Sequence, residues 1–243
     1  MKTSFFSFSR FWRWHPKIAL RYLPIVDEIN SLRSGDYTVL EIGSGSLGIA
    51  PYLNHQVTGI DVDFSGPSFP LLKPIKGDAK KLPFKNNSFD FIVCVDVLEH
   101  INPIEREKVI AETFRVAKRA VFIGVPCGKV AEQQDEALHK EYKKRFSKDY
   151  SFLKEQIDYG LPDKTSMIEL INNAAKKLNR SIRLTTYGNL NISVRKFLMY
   201  GWMTKNIVVD ILFRKVFLLL IPILRLCNWE PTYRTFFFVY FKN

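Results

Sequence analysis

One short stretch limits the architectures open to this chain more than any other. Val39-Leu40-Glu41-Ile42 is an apolar run of strand character, and it ends in Gly43-Ser44-Gly45-Ser46-Leu47-Gly48. Glycines let a backbone close tightly on a ligand, and a helix starting just beyond them would offer free N–H groups to polar or anionic atoms. The G-x-G-x-x-G spacing alone fits a dinucleotide as well as a single nucleoside. The blocks that follow narrow the choice.

Val57-Thr58-Gly59-Ile60 reads as a second strand and ends in Asp61, eighteen positions after Gly43, where a carboxylate can accept from both ribose hydroxyls of a nucleoside. Next come Gly77-Asp78-Ala79, then Leu82-Pro83-Phe84, then Ser88-Phe89-Asp90 running through Val93-Cys94-Val95-Asp96 to Leu98-Glu99-His100. Over residues 36–126 the chain resembles the class I S-adenosylmethionine-dependent methyltransferases, in the branch whose blocks read "LDIGCG", "GxD", "GDAxxLPF" and "FDxVxxxxxLEH". A dinucleotide-dependent dehydrogenase has no use for the last two blocks.

The resemblance implies S-adenosylmethionine as cofactor and a set of site residues. Glu41 and the turn Gly43, Ser44, Gly45 would hold the methionine part, Asp61 the ribose, Asp78 with the Ala79 backbone the adenine, and Asp96 would lie near the methyl group. The turn departs from the commoner pattern, because Leu47 stands where a glycine is frequent and demands an ordinary backbone angle. His100 and His139 are the candidate catalytic bases, since a neutral imidazole can take a proton near neutrality. His100 could equally cap the helix that follows it. The four histidines share no ligand spacing with carboxylates or cysteines, so no metal is expected.

Apolar runs near 38–43, 56–61, 73–76, 89–95 and 119–125 predict parallel strands covered on both faces. A helix between the last two starts at Asn102-Pro103 with Glu105 at a capping-box position, and turns Ile110, Phe114 and Ala117 toward the sheet. Residues 164–179 read as another helix, 182–187 as a sixth strand and 234–241 as a seventh. The expected fold is α/β and Rossmann-like: a seven-stranded, mostly parallel sheet with helices on both faces, an antiparallel last strand, and a helical insertion between strands six and seven. The domain division is an aromatic and basic helical segment, 1–34, then the methyltransferase domain, 35–243, with insertions at 129–163 and 188–230. The first insertion leaves the fifth strand beside the methyl donor and is a candidate lid or acceptor-binding element.

Charge is unevenly placed in a chain of net charge +12: residues 1–34 hold six basic and two acidic side chains, and residues 188–243 hold eight and two. Both ends are also rich in aromatic and aliphatic residues, which suits an anionic membrane surface better than a nucleic-acid groove. The aromatic run within Met1 to Trp14 fits either a headgroup layer or a helix covering the core. The apolar run Val216 to Leu224 contains Pro222 and falls short of the roughly 20 residues a spanning helix needs. The segment therefore reads as a membrane-embedded or lipid-gripping helical hairpin. Cys94, Cys127 and Cys227 lack paired spacing, as in a reducing cytoplasm. The expected protein is a cytoplasmic methyltransferase, peripheral on the inner membrane face. Its acceptor would be a small amphipathic or lipid-linked molecule such as a cell-envelope glycan or lipid intermediate. A prenylated ring as acceptor, or a silent module that binds S-adenosylmethionine, are the alternatives; nucleic acid is not an expected partner, and oligomeric state is not readable.

Overall fold

The computed structural model describes residues 14–242. Seven strands form one sheet: β1 (Val39–Ile42), β2 (Val57–Asp61), β3 (Leu72–Lys76), β4 (Phe89–Val95), β5 (Ala117–Pro126), β6 (Ile182–Asn191) and β7 (Thr232–Phe241), in the order β3-β2-β1-β4-β5-β7-β6. All pairings are parallel except those of β7, which runs antiparallel to both β5 and β6. The order reverses between β1 and β4, and ligands in such sheets bind at that switch, outside the carboxyl ends of the strands.

Each face of the sheet has its own core, and β7 shows why. Its alternating side chains send Phe236 and Phe238 to one face and Phe237 and Val239 to the other, all buried. The first face is covered by α1 (Pro16–Leu32), whose Tyr22, Ile25 and Ile29 lie on one helical stripe. The second is covered by α3 (Arg106–Val116) and α6 (Lys164–Lys177) through Phe114, Met167 and Ile171. Asp163 caps α6 by accepting from the N–H groups of Thr165 and Ser166 at 2.8 and 2.9 Å.

Several expectations change in detail. The element after the glycine turn, α2 (Ala50–Leu53), is a single turn ended by Asn54 in a left-handed conformation, so it offers no helix terminus to a ligand. Asn102 does cap, accepting from the Ile104 N–H, but Glu105 turns away to Lys80 and the helix proper starts at Arg106; Ala117 belongs to β5. The insertion after β5 is a pair of helices, α4 (Gly128–Phe146) and α5 (Ser151–Tyr159).

Between β6 and β7 lie α7 (Ile192–Trp202), α8 (Ile207–Arg214), a 3-10 turn at Val216–Leu218 and the one-turn α9 (Ile221–Leu224). This segment is not a free-standing hairpin. Leu218 and Ile221 are buried in the core beside α1, and Arg225 pairs with Asp27 of that helix. Asp210 and Arg214 pair across one turn at 2.5 Å, the i and i+4 contact their spacing allows. Among the described residues, no helix is long and apolar enough to cross a membrane. The aromatic run of residues 1–13 lies outside the described residues.

Candidate active site

A cavity of about 720 Å³ opens over the carboxyl ends of β1, β2 and β4. Its floor at one end is the glycine turn. Positive φ angles fall on Gly43, Gly45 and Gly48 and not on Leu47, so the missing glycine is not needed. A Cβ on Gly45 would meet nothing within 4 Å, which leaves that side of the turn open to the cavity. Gly48 is different: a Cβ there would sit 2.0 Å from Oε2 of Glu41.

Glu41 therefore lies beneath the turn and does not line the cavity. Its Oε2 accepts from the Ile49 N–H at 2.7 Å, and burial, moderated by bonds from Tyr22 and Ile49, pushes its pKa up to about 7. It braces the backbone that the cavity uses.

Asp61 stands at the tip of β2. Its Oδ2 accepts from the Gly45 N–H at 2.7 Å and its Oδ1 from the Asp63 N–H at 3.1 Å, which fixes the carboxylate while leaving each oxygen a further lone pair. Asp63, Asp78, Ala79 and Glu155 complete this end, and its one lysine, Lys80, is shared between Asp78 at 3.6 Å and Glu105 at 3.3 Å. Such an acidic wall would repel a pyrophosphate. It suits a neutral adenosine joined to a cationic sulfonium, so these residues fit S-adenosylmethionine and not a dinucleotide.

Asp96 marks the middle of the cavity. It sits beyond β4 with φ +54, half-buried between two guanidiniums. Arg234 holds it bidentately, with both bonds at 2.6 Å, and Arg21 adds a third contact at 3.0 Å. Burial alone would raise its pKa, but these two cations outweigh it and hold the carboxylate well below the usual range. Asp96 is thus an orienting anion and a poor proton acceptor.

His100 lines the cavity, with its Nδ1 2.8 Å from Oε2 of Glu155 and its Nε2 3.2 Å from Nε2 of Gln156. An N–H on Nδ1 donates to the carboxylate, and Nε2 then accepts from the Gln156 amide. Both ring nitrogens are engaged, and the residue ties α5 to the loop after β4. His139 is not in the cavity. It lies on α4 and points to Asp149, 3.2 Å from Oδ1, because Leu138 and its neighbours take the face of that helix that packs inward. The fold does not bring it together with the other expected site residues. Cys94 is buried within β4, where burial pushes its thiol pKa up, and no metal-binding cluster occurs among the described residues.

The far end of the cavity was not anticipated from the motifs. It is built from Lys17 and Arg21 of α1, Arg195 of α7, and Tyr233 and Arg234 of β7, with Leu153 of α5 and Tyr150 just before that helix. One signal was legible: Arg234 is the one charged residue in Thr232–Phe241, an otherwise uncharged and mostly aromatic strand, and a charge there needs a partner.

Comparison with known proteins agrees with this geometry. Residues 40–123 match the family model described as a methyltransferase domain. Those residues belong to the methyltransferase-domain family. The chain also aligns along 90 residues, at 36% identity, with an uncharacterised protein of Methanocaldococcus jannaschii; the match spans 34% of this chain and 37% of that relative's length. Among solved structures, the chain is similar to an S-adenosylmethionine-dependent methyltransferase from Thermotoga maritima, with 17% identity, TM-score 0.50 and 96% of each chain covered. It is also similar to magnesium protoporphyrin IX methyltransferase from Synechocystis PCC 6803, solved with bound S-adenosylhomocysteine. There the identity is 12%, the TM-score 0.51, and the coverage 93% of this chain and 83% of that one. At these identities the structural likeness shows the fold: the seven-stranded Rossmann-like sheet of these enzymes.

Proposed function

We propose that the protein transfers the methyl group of S-adenosylmethionine to a small amphipathic acceptor presented at a membrane surface. The observation that carries this reading is the joining, in one cavity, of an acidic nucleoside end over a glycine turn with a separate compartment beyond Asp96. The cofactor, when bound, supplies an electrophilic methyl group on sulfonium sulfur, and the protein's task is mainly alignment.

In this reading Asp61 accepts from the ribose hydroxyls, Asp78 and the Ala79 backbone flank the adenine, and Gly43, Ser44 and Gly45 carry the methionine part. Arg21, which lines the cavity beside Asp96 one turn from Lys17, suits the cofactor's carboxylate. Asp96 keeps Arg21 and Arg234 in place. His100, through Glu155 and Gln156, holds α5 over the opening and so helps exclude water.

The membrane part of the proposal rests on the outer side of the segment between β6 and β7. Ile207, Val208, Leu219, Ile223 and Leu226 are each more than 60% exposed there. Lys205, Arg214, Lys215 and Arg225 lie among them, a composition that fits an anionic bilayer better than water. Deleting the segment would remove Leu218 and Ile221 from the core, so the test uses substitutions. Ile207, Leu219 and Ile223 replaced together by Ser should abolish co-sedimentation with vesicles of anionic phospholipid and leave S-adenosylhomocysteine binding unchanged. A full-length chain that never sediments with such vesicles removes the membrane claim. Incubation with methyl-labelled S-adenosylmethionine and a membrane lipid extract tests the transfer: label should enter the extract. Cofactor binding without any transfer, to this or to aqueous small molecules, would favour a silent binding module.

A further inference from the structure

The acceptor compartment has a charge imbalance that the donor does not resolve. Four cations, Lys17, Arg21, Arg195 and Arg234, face the cavity around two carboxylates, Asp96 and Asp135. Asp96 is shared by Arg21 and Arg234. Asp135, itself buried, receives Arg195 at 2.7 Å. Glu99, behind this cluster, adds no compensation: burial and the neighbouring Asp96 push its pKa well above the carboxylate range. Arg21 can meet the cofactor's carboxylate, and that leaves Lys17.

Lys17 is only half-buried, yet it has no carboxylate partner among the described residues. Its ammonium lies 4.5 Å from the centre of the Trp202 ring, a contact that orients the group without neutralising it. Arg195 lies in the same compartment, with its guanidinium stacked at 3.3 Å on Tyr233 and bonded to Gln134 and Asp135. The remaining walls are apolar or aromatic: Tyr150, Leu153, Leu190 and Met199. Burial and the neighbouring Arg21 and Arg195 pull the Lys17 pKa down to about 7, the signature of a cation held where an anion is lacking.

We infer that the methyl acceptor carries an anionic group, a phosphate or a carboxylate, and that Lys17 with Arg195 beside it receives that group while the apolar walls take the acceptor's hydrocarbon part. The inference rests on the proposed methyl transfer for the word acceptor, but the anion site itself stands on the cavity alone. An anion there would hold Lys17 protonated and would offset the extra positive charge brought by the sulfonium.

The test is calorimetric titration of the full chain, saturated with S-adenosylhomocysteine, with hexyl phosphate, hexanoate, hexanol and hexyltrimethylammonium. One or both anions should bind and the alcohol and the ammonium should not; whichever anion binds more tightly names the group. Lys17→Met should weaken that anion at least tenfold, Lys17→Arg should restore most of it, and neither should shift S-adenosylhomocysteine affinity by more than about twofold. Because Lys17 has no carboxylate partner among the described residues and forfeits only its contact with the Trp202 ring, Lys17→Met should melt within a few degrees of the parent, so a failure to bind anion is not a failure to fold. The inference is overturned if neither anion binds, if the ammonium binds as well as the anions, if Lys17→Met leaves anion affinity unchanged, or if it weakens S-adenosylhomocysteine instead. If S-adenosylhomocysteine itself does not bind, the donor reading fails separately, and the same anion titration on the chain alone still decides the site.

Discussion

The two ends of the cavity are built by different means. At the nucleoside end, Gly43, Gly45, Asp61 and Asp78 come from the tips of consecutive strands, and each is fixed by neighbours close in sequence; Asp61 holds the Gly45 N–H sixteen residues away. At the acceptor end, Arg21 and Arg234 meet at Asp96 from opposite termini of the chain, and Arg195 reaches Asp135 from the segment between β6 and β7. The first end is a local device repeated on the edge of a sheet, and the second exists only once the whole chain is folded. Donor recognition should therefore tolerate changes in the outer segments, whereas acceptor recognition should be coupled to global stability.

The largest effect that would break this contrast is at Asp96. Asp96→Ala strands the buried Arg234 and the half-buried Arg21, and removing one partner of a buried ion pair costs about 3–5 kcal/mol, with the lower end expected here because Asp96 is itself half-buried. For a domain of this size a loss of that kind lowers the melting temperature by roughly 2–4 °C per kcal/mol. Thermal melts should show it; an unchanged midpoint would mean that the acceptor end is not a structural keystone.

A smaller effect belongs to Glu41. Its folded pKa is raised from 4.5 to about 7, so its contribution to stability is fully present below about pH 4.5 and is lost as pH rises through 7. The difference is on the order of 3 kcal/mol. Glu41→Gln should remove that part of the pH dependence, which urea unfolding of both proteins between pH 4.5 and 8 would reveal as two curves of different slope. Parallel curves would contradict the bracing role beneath the turn.

Next in size, Asp61→Ala should weaken S-adenosylhomocysteine by more than tenfold, about 1.4 kcal/mol, with little change in melting temperature. The reverse pattern, stability lost and affinity kept, would place Asp61 with the structural residues. The smallest effect is expected at His100. With both ring nitrogens already bonded, His100→Gln should reduce cofactor affinity about threefold, roughly 0.6 kcal/mol, by loosening α5. A loss of turnover by several powers of ten at unchanged affinity would instead make it the base.

The contrast also explains what could be read before folding. The strand positions, the glycine turn and the place of Asp61 at the end of β2 were legible because each is a contiguous block whose chemistry is set by its own residue types. The boundary of β6 was read short, since Gly188, Asn189 and Asn191 look like loop residues until Thr235, Arg234 and Thr232 of β7 pair with them. His139 looked available because its partner, Asp149, lies beyond the end of its helix. Lys17, Arg21 and Arg195 gave no local sign, because the polar face of an amphipathic helix reads as solvated until tertiary structure turns it inward. Arg234 could have been found, as the one charge within Thr232 to Phe241, had its need for an anion been followed.

A crystal structure of the full chain grown with S-adenosylhomocysteine examines the central claim most directly. The account predicts the ribose hydroxyls within hydrogen-bond distance of Asp61, the adenine beside Asp78 and Ala79, and the sulfur facing the compartment of Lys17 and Arg195. Ligand density elsewhere over an untouched glycine turn, or a nucleotide whose phosphates lie along Asp61 and Asp63, would contradict it.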